Sequence, residues 1–185
     1  MLIGIGHQKR HGKSTSSKYL CSKYEFTEFT FATRLKNMID SLYDIPEYYK
    51  YVAKEVNIPS IEKTYRELCE RCGQGMRELF GKEFWISLTE SDIKNSKKDN
   101  CVVSDVRYLN EAEWIKRYGG FLVKIYNPRL PVDNKHISEN QLTNYKGWDY
   151  IILNDGDKED LFKKLDVLMG EIIVRSCGII DMEGK

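Results

Sequence analysis

The sequence predicts an α/β fold: a parallel sheet of about five strands in three layers, with helices on both faces. Three observations carry that prediction. Residues 1–15, MLIGIGHQKRHGKST, open with an apolar run and close on Gly12-Lys13-Ser14-Thr15. Later short apolar runs at 101–104, Phe121–Tyr126 and Tyr150–Leu153 alternate with stretches of helical period. The length of 185 residues suits one full core rather than two, so a single domain over 1–185 is expected, with a helical excursion near 44–98 and a lid-like segment at 127–147.

The opening stretch is the most informative. Leu2, Ile3 and Ile5 around Gly4 read as a buried strand, and 16–24 as a helix. A strand, a loop with Gly-Lys-Ser/Thr and a helix form the phosphate-cradling P-loop unit. Gly12 lets the backbone turn so that its N–H groups point inward, and the helix start adds partial positive charge. Lys13 can reach the β- and γ-phosphates, and the Ser14 hydroxyl is the expected Mg²⁺ ligand. Arg10, His11 and Thr15 flank the same turn and join the expected nucleotide-binding set. One position departs from the pattern: His7 stands where the first loop glycine belongs, with Gly6 one residue early. Either the loop carries an extra residue or His7 takes backbone angles that glycine normally supplies.

Composition narrows the classes. A formal net charge of +1 argues for neither a nucleic-acid nor a membrane partner. No run reaches transmembrane length, and Met1 leads straight into a strand, so a cytoplasmic protein without a signal peptide is expected. Five scattered cysteines fit reduced packing thiols, and Cys69-Glu-Arg-Cys72 lies in a helical pattern without a second pair or flanking histidine.

In chain order, 26–31 alternates as a short strand and Ala32–Leu42 reads as helix, with Leu35, Met38, Ile39 and Leu42 on one face. A tyrosine-rich helix is expected at 47–56, between breaks at Pro46 and Pro59. Residues 62–73 read as helix, with Gly73-Gln74-Gly75 loosening the chain beyond it, and 82–94 as another. A central strand at 101–104 ends in Asp105-Val106-Arg107, and a helix at 111–118 stops at Gly119-Gly120. Strands at Phe121–Tyr126 and Tyr150–Leu153 follow, then a closing helix at 157–174.

Ligands bind at the carboxyl ends of such strands. Asp105 occupies the place of the second acid, able to hold Mg²⁺ or accept a proton; its alternative is a helix cap. Arg107 suits a bidentate phosphate contact, or a local pair with Asp105 or Glu111. Arg66, Arg71 and Arg77 around Gln74 could clamp a second anion or form a solvated helix face. Trp85 is a core residue or a base-stacking platform, and Arg129 could close from the lid onto the transferring group.

Four stretches together resemble the deoxynucleoside monophosphate kinases of bacteriophages and other viruses. They are HGKST, GQGMRELFGKEFW, SDVRYLNEAEWIKRYGGFLVKI, and HISENQL ahead of WDYIILNDGD, with DVR-x-x-NEAE the most specific. The resemblance spans nearly the whole chain. It implies a nucleoside-monophosphate-kinase fold, ATP as donor, Mg²⁺, and a deoxynucleoside monophosphate as acceptor, bound in part by the helical region. Lys13 and Ser14 match the ATP-phosphate positions, Asp105 and Arg107 the DVR pair, and Arg77 the arginine before Glu78. His136, Ser138 and Glu139 match an H-x-S-E motif, with Glu139 placed on the substrate side. Members often carry Asp after the P-loop lysine; Ser14 in its place strengthens the Mg²⁺ assignment. The alternatives are a phosphomevalonate kinase-like or dephospho-CoA kinase-like enzyme, and a non-catalytic nucleotide-binding module. A regulatory GTPase would need Asn-Lys-x-Asp where this chain has Asn154-Asp155-Gly156-Asp157. A homodimer is left open.

Overall fold

The computed structural model describes residues 1–131 and 141–176. The chain divides into two compact units, one from Met1–Phe29 with Lys98–Lys185 and the other from Thr30–Lys97. The second thus starts ahead of the expected excursion at 44–98.

The first unit holds a five-stranded parallel sheet. Its strands are β1 (Leu2–Gly6), β2 (Thr27–Phe29), β5 (Cys101–Val106), β6 (Phe121–Tyr126) and β7 (Tyr150–Leu153), in the order β2-β5-β1-β6-β7. Near-continuous apolar strands are what a parallel sheet covered on both faces requires. On one face Ile3, Ile5, Val123 and Ile125 pack with Leu20 of α1 (Lys13–Tyr24). Leu161, Leu165, Leu168, Met169 and Ile172 of the closing helix α6 (Lys158–Ser176) complete that core. Each such side chain contributes about 1.5–3 kcal/mol when fully buried. On the other face lies α5 (Leu109–Arg117). Gly4 admits it: a Cβ there would stand 2.8 Å from the Ile115 side chain. Gly6 likewise makes room for the Trp148 ring, which would sit 2.7 Å from an added Cβ.

One irregularity matters for the site. Gly4 pairs with Val103 and Gly6 with Val106, so Ile5 alone faces both Ser104 and Asp105. The extra residue is a β-bulge in β5, a device that re-aims a side chain at the end of a strand.

In the second unit, α2 (Ala32–Leu42), α3 (Tyr65–Phe80) and α4 (Phe84–Ser96) pack together, beside a hairpin of β3 (Asn57–Ile58) and β4 (Lys63–Thr64). Two expectations are corrected here. The helix expected at 47–56 is one wide turn, Tyr48–Val52, and the hairpin follows it. Two-residue strands leave no period to read. The break expected at 73–75 is absent, because α3 runs through both glycines. Thr64 and Glu67 form a capping box at its start, each side chain taking the other's backbone N–H at 3.0 Å. At Gly73 the Leu35 side chain comes close, and the Trp85 indole N–H donates to the Gly73 carbonyl at 3.0 Å. Those contacts at Gly73 offset its helix penalty of roughly 1 kcal/mol.

Candidate active site

The P-loop joins β1 to α1. Gly12 caps the helix at φ 108, where a Cβ would also lie 2.6 Å from the Asn154 amide. That position therefore excludes any side chain, on backbone and on space. His7 stands at φ 95 and Arg10 at φ 68. His7 thus resolves the departure from the motif by taking up a glycine-like conformation. The loop is held in place from the ends of β6 and β7. Asn127 donates its backbone N–H to His11 Nδ1 at 2.8 Å, and Asn154 Nδ2 donates to the His11 carbonyl at 3.0 Å. The His11 and Tyr126 rings stack, with His7 set edge-on to both.

Lys13 is buried, and its ammonium donates to the Gln8 carbonyl at 2.5 Å, inside the loop it serves. Ser14 is exposed on the first turn of α1 and Thr15 partly so, while Arg10 stands at the surface. One turn on, Ser17 Oγ donates to Glu28 Oε1 at 2.7 Å, and Ser104 Oγ donates to the same oxygen at 2.5 Å. Glu28 therefore ties the P-loop helix to the bulge that carries Asp105.

Asp105 is partly buried at the carboxyl end of β5, one residue before the Val106 that pairs with Gly6. The P-loop and the acid thus leave neighbouring strands at the same end of the sheet. Arg107 follows directly. The buried Glu111 carboxylate accepts the backbone N–H groups of Arg107 at 2.8 Å and Tyr108 at 3.0 Å, fixing the turn that presents the arginine. Glu111 thereby caps α5, since its carboxylate meets donors that the helix start leaves over. Exposed Arg129 is fixed by its backbone N–H on Asn127 Oδ1 at 2.9 Å. It helps hold the Asp155 carboxyl below the usual range, behind the larger effect of the Lys164 hydrogen bond.

The other candidates lie in the second unit or beyond the described residues. Arg66 pairs with Glu55, Gln74 donates to Glu78 at 2.9 Å, and Arg71 is exposed on α3. Arg77 is partly buried, with a weak 3.4 Å bond to the Lys82 carbonyl. Trp85 is a correction to the stacking alternative. It is 3% exposed and its one polar atom is committed to Gly73, so it packs the core of its unit. His136, Ser138 and Glu139 fall outside the described residues.

A family model for deoxynucleotide monophosphate kinase matches residues 66–165, more than half of the chain. The chain belongs to that family. As a member of the deoxynucleotide monophosphate kinases it is a phosphotransferase. It is 28% identical over 183 residues to a protein of Acanthamoeba polyphaga mimivirus named for the same activity, covering 89% of this chain and 94% of the viral one. It is also 28% identical over 142 residues to the deoxynucleotide monophosphate kinase of Escherichia phage RB69, covering 72% of this chain and 58% of the phage protein. A crystal structure of a Thermus thermophilus protein aligns with a TM-score of 0.50 at 16% identity, over 92% of this chain and 97% of that one. That likeness speaks for the fold alone.

Sequence reading gave no supporting role in the candidate site to Glu28 or Asn154, noted His7 only as a departure from the motif, and weighed Glu111 only as a side-chain partner of Arg107. Only Glu111 had a local signal, as an acid in the first turn of a helix. His7 has a measurable consequence. Its pKa is lowered from 6.5 to about 3, by burial first and then by Lys124, His11 and Lys13. Unfolded, the imidazole takes a proton below pH 6.5; folded, it resists one until about pH 3. The unfolded state then binds more protons, so stability falls as pH drops through that window. His7→Asn accepts a positive φ and does not titrate. It is expected to flatten that part of the profile in urea midpoints measured across the window. An acid limb as steep as wild type would show that other groups set it.

Among the described residues no helix is long and apolar enough to cross a membrane.

Proposed function

We propose that the chain transfers the γ-phosphoryl group of ATP to the 5′-phosphate of a deoxynucleoside monophosphate, with Mg²⁺, in the cytoplasm (of the host where the gene is viral). Family membership carries the reading, and the pairing of Gly6 with Val106 supports it by bringing the P-loop and Asp105 to one end of the sheet. Phosphoryl transfer asks for positioning and charge neutralisation rather than covalent work by the protein.

On this reading the P-loop N–H groups and Lys13 hold the donor phosphates, with Arg10, His11, Gly12 and Thr15 shaping the cradle. Ser14 and Asp105 offer the oxygen donors that suit Mg²⁺, which takes one or two protein oxygens, waters and substrate phosphates rather than a protein cage. When bound there, the ion would neutralise phosphate charge. Arg107 takes the acceptor phosphate, and Arg129 covers charge that develops during transfer. The resemblance supplies Arg77 as a further acceptor-side candidate, and the run of arginines around Gln74 adds Arg71 and Arg66. ATP and the acceptor are the partners this chemistry needs.

The test is ADP release with ATP and Mg²⁺ against each common deoxy- and ribonucleoside monophosphate, with an EDTA control. Release is expected with one or more deoxynucleotides and is expected to stop with EDTA. A flat response across the panel would overturn the reading.

A further inference from the structure

Lys124 is partly buried in β6 and pairs in register with Gly6, so the two share the sheet face that carries Tyr126. It therefore stands directly beside the strand that enters the P-loop. Its ammonium lies 5.4 Å from the centre of the Tyr126 ring, and of the charges around His7 it acts most strongly on that imidazole. Among the described residues no carboxylate or carbonyl meets it with a hydrogen bond or ion pair. Scarcity of acids is not the reason, since the chain has 28 of them. A ring contact is a weak substitute for a counter-ion, and burial holds the Lys124 pKa below the usual lysine range.

One neighbour shows the same shortage. His7 Nε2 is buried without a hydrogen-bond partner, in a side chain only 6% exposed. An ammonium is a donor only, and a neutral imidazole offers an N–H donor in its Nε2–H tautomer. One acceptor meets both, and the cation asks that it be an anion.

We propose that Lys124, with the His7 imidazole beside it, is a phosphate-binding site next to the carboxyl end of β1 that takes an oxyanion of a bound nucleotide. The proposal rests on the kinase reading only for the identity of the nucleotide. Its chemistry is that of any phosphate, from the donor or from the acceptor.

The experiment compares wild type, Lys124→Met and Lys124→Arg by calorimetric titration with a non-hydrolysable ATP analogue, with the deoxynucleoside monophosphate that wild type phosphorylates, and with inorganic pyrophosphate. Lys124→Met is expected to bind at least one of them about 10- to 100-fold more weakly, the span of a charge-assisted hydrogen bond, and Lys124→Arg to recover most of the loss. A loss confined to the ATP analogue assigns the donor; one confined to the monophosphate assigns the acceptor. The melting temperature of ligand-free Lys124→Met is expected to rise, since a partnerless charge is removed, which separates weak binding from unfolding. Should that variant fail to fold, Lys124→Gln makes the same comparison. Equal affinities for all three probes in the neutral variant and wild type overturn the proposal. If wild type turns over no monophosphate, the kinase reading fails, and the pyrophosphate titration still decides the role of Lys124.

Discussion

Lys13→Ala is expected to lower kcat by about 10³-fold or more while the protein stays folded. The ammonium is already buried in the loop and held by the Gln8 carbonyl, so it needs little reorganisation to meet a phosphate. Preorganised charge of this kind, in a site shielded from water, is worth far more than the same charge in solvent. Loss of the Gln8 bond costs about 0.5–1.5 kcal/mol, so the circular-dichroism melt is expected to shift only slightly. Steady-state kinetics at saturating ATP make the measurement. A kcat within tenfold of wild type would remove Lys13 from the chemistry.

Arg107→Ala is expected to lower kcat/KM for the acceptor by about 10³- to 10⁵-fold, the range of arginine contacts in phosphoryl transfer. Glu111 accepts the backbone N–H groups of Arg107 and Tyr108, on either side of the Arg107 Cα, and so fixes where the guanidinium starts. Arg107→Lys is expected to restore little, because an ammonium cannot reproduce the planar, two-pronged contact. The donor's affinity, measured with a non-hydrolysable analogue, is expected to change far less than the acceptor's. Equal losses for both ligands, or near-normal turnover in the alanine variant, would reassign the residue.

The parts of the candidate site that were legible are those with local signatures. Gly12, Lys13 and Ser14 are recognisable because a P-loop needs those residue types in that order, and Asp105 and Arg107 because a polar pair ends an apolar run. The motif's one defect, His7, could be read in two ways. The choice between them depended on a backbone angle and on ring contacts with Tyr126, 119 positions further along the chain. Trp85 shows the opposite limit. An aromatic at helical spacing looks alike in a core and over a base, and only its 3% exposure and its bond to Gly73 separate the two.

By itself the sequence determined the parallel sheet, the bounds of β6 and β7, the P-loop and the burial of Leu35 and Ile39 on α2, whereas Leu42, expected on the same face, is exposed. Each of these follows from patterns with periods of two to four residues, and such patterns are local properties of the chain. Tertiary structure alone decided the division into two units, the bulge at Ser104 and Asp105, and the unbroken course of α3 through two glycines. It also decided which distant groups hold the P-loop. Asn127 and Asn154 reach His11 from 116 and 143 positions away, and Ser104 meets Glu28 across 76. The physical reason is the same throughout: a hydrogen bond between distant segments forms only once packing brings them together, and it leaves no period in the sequence.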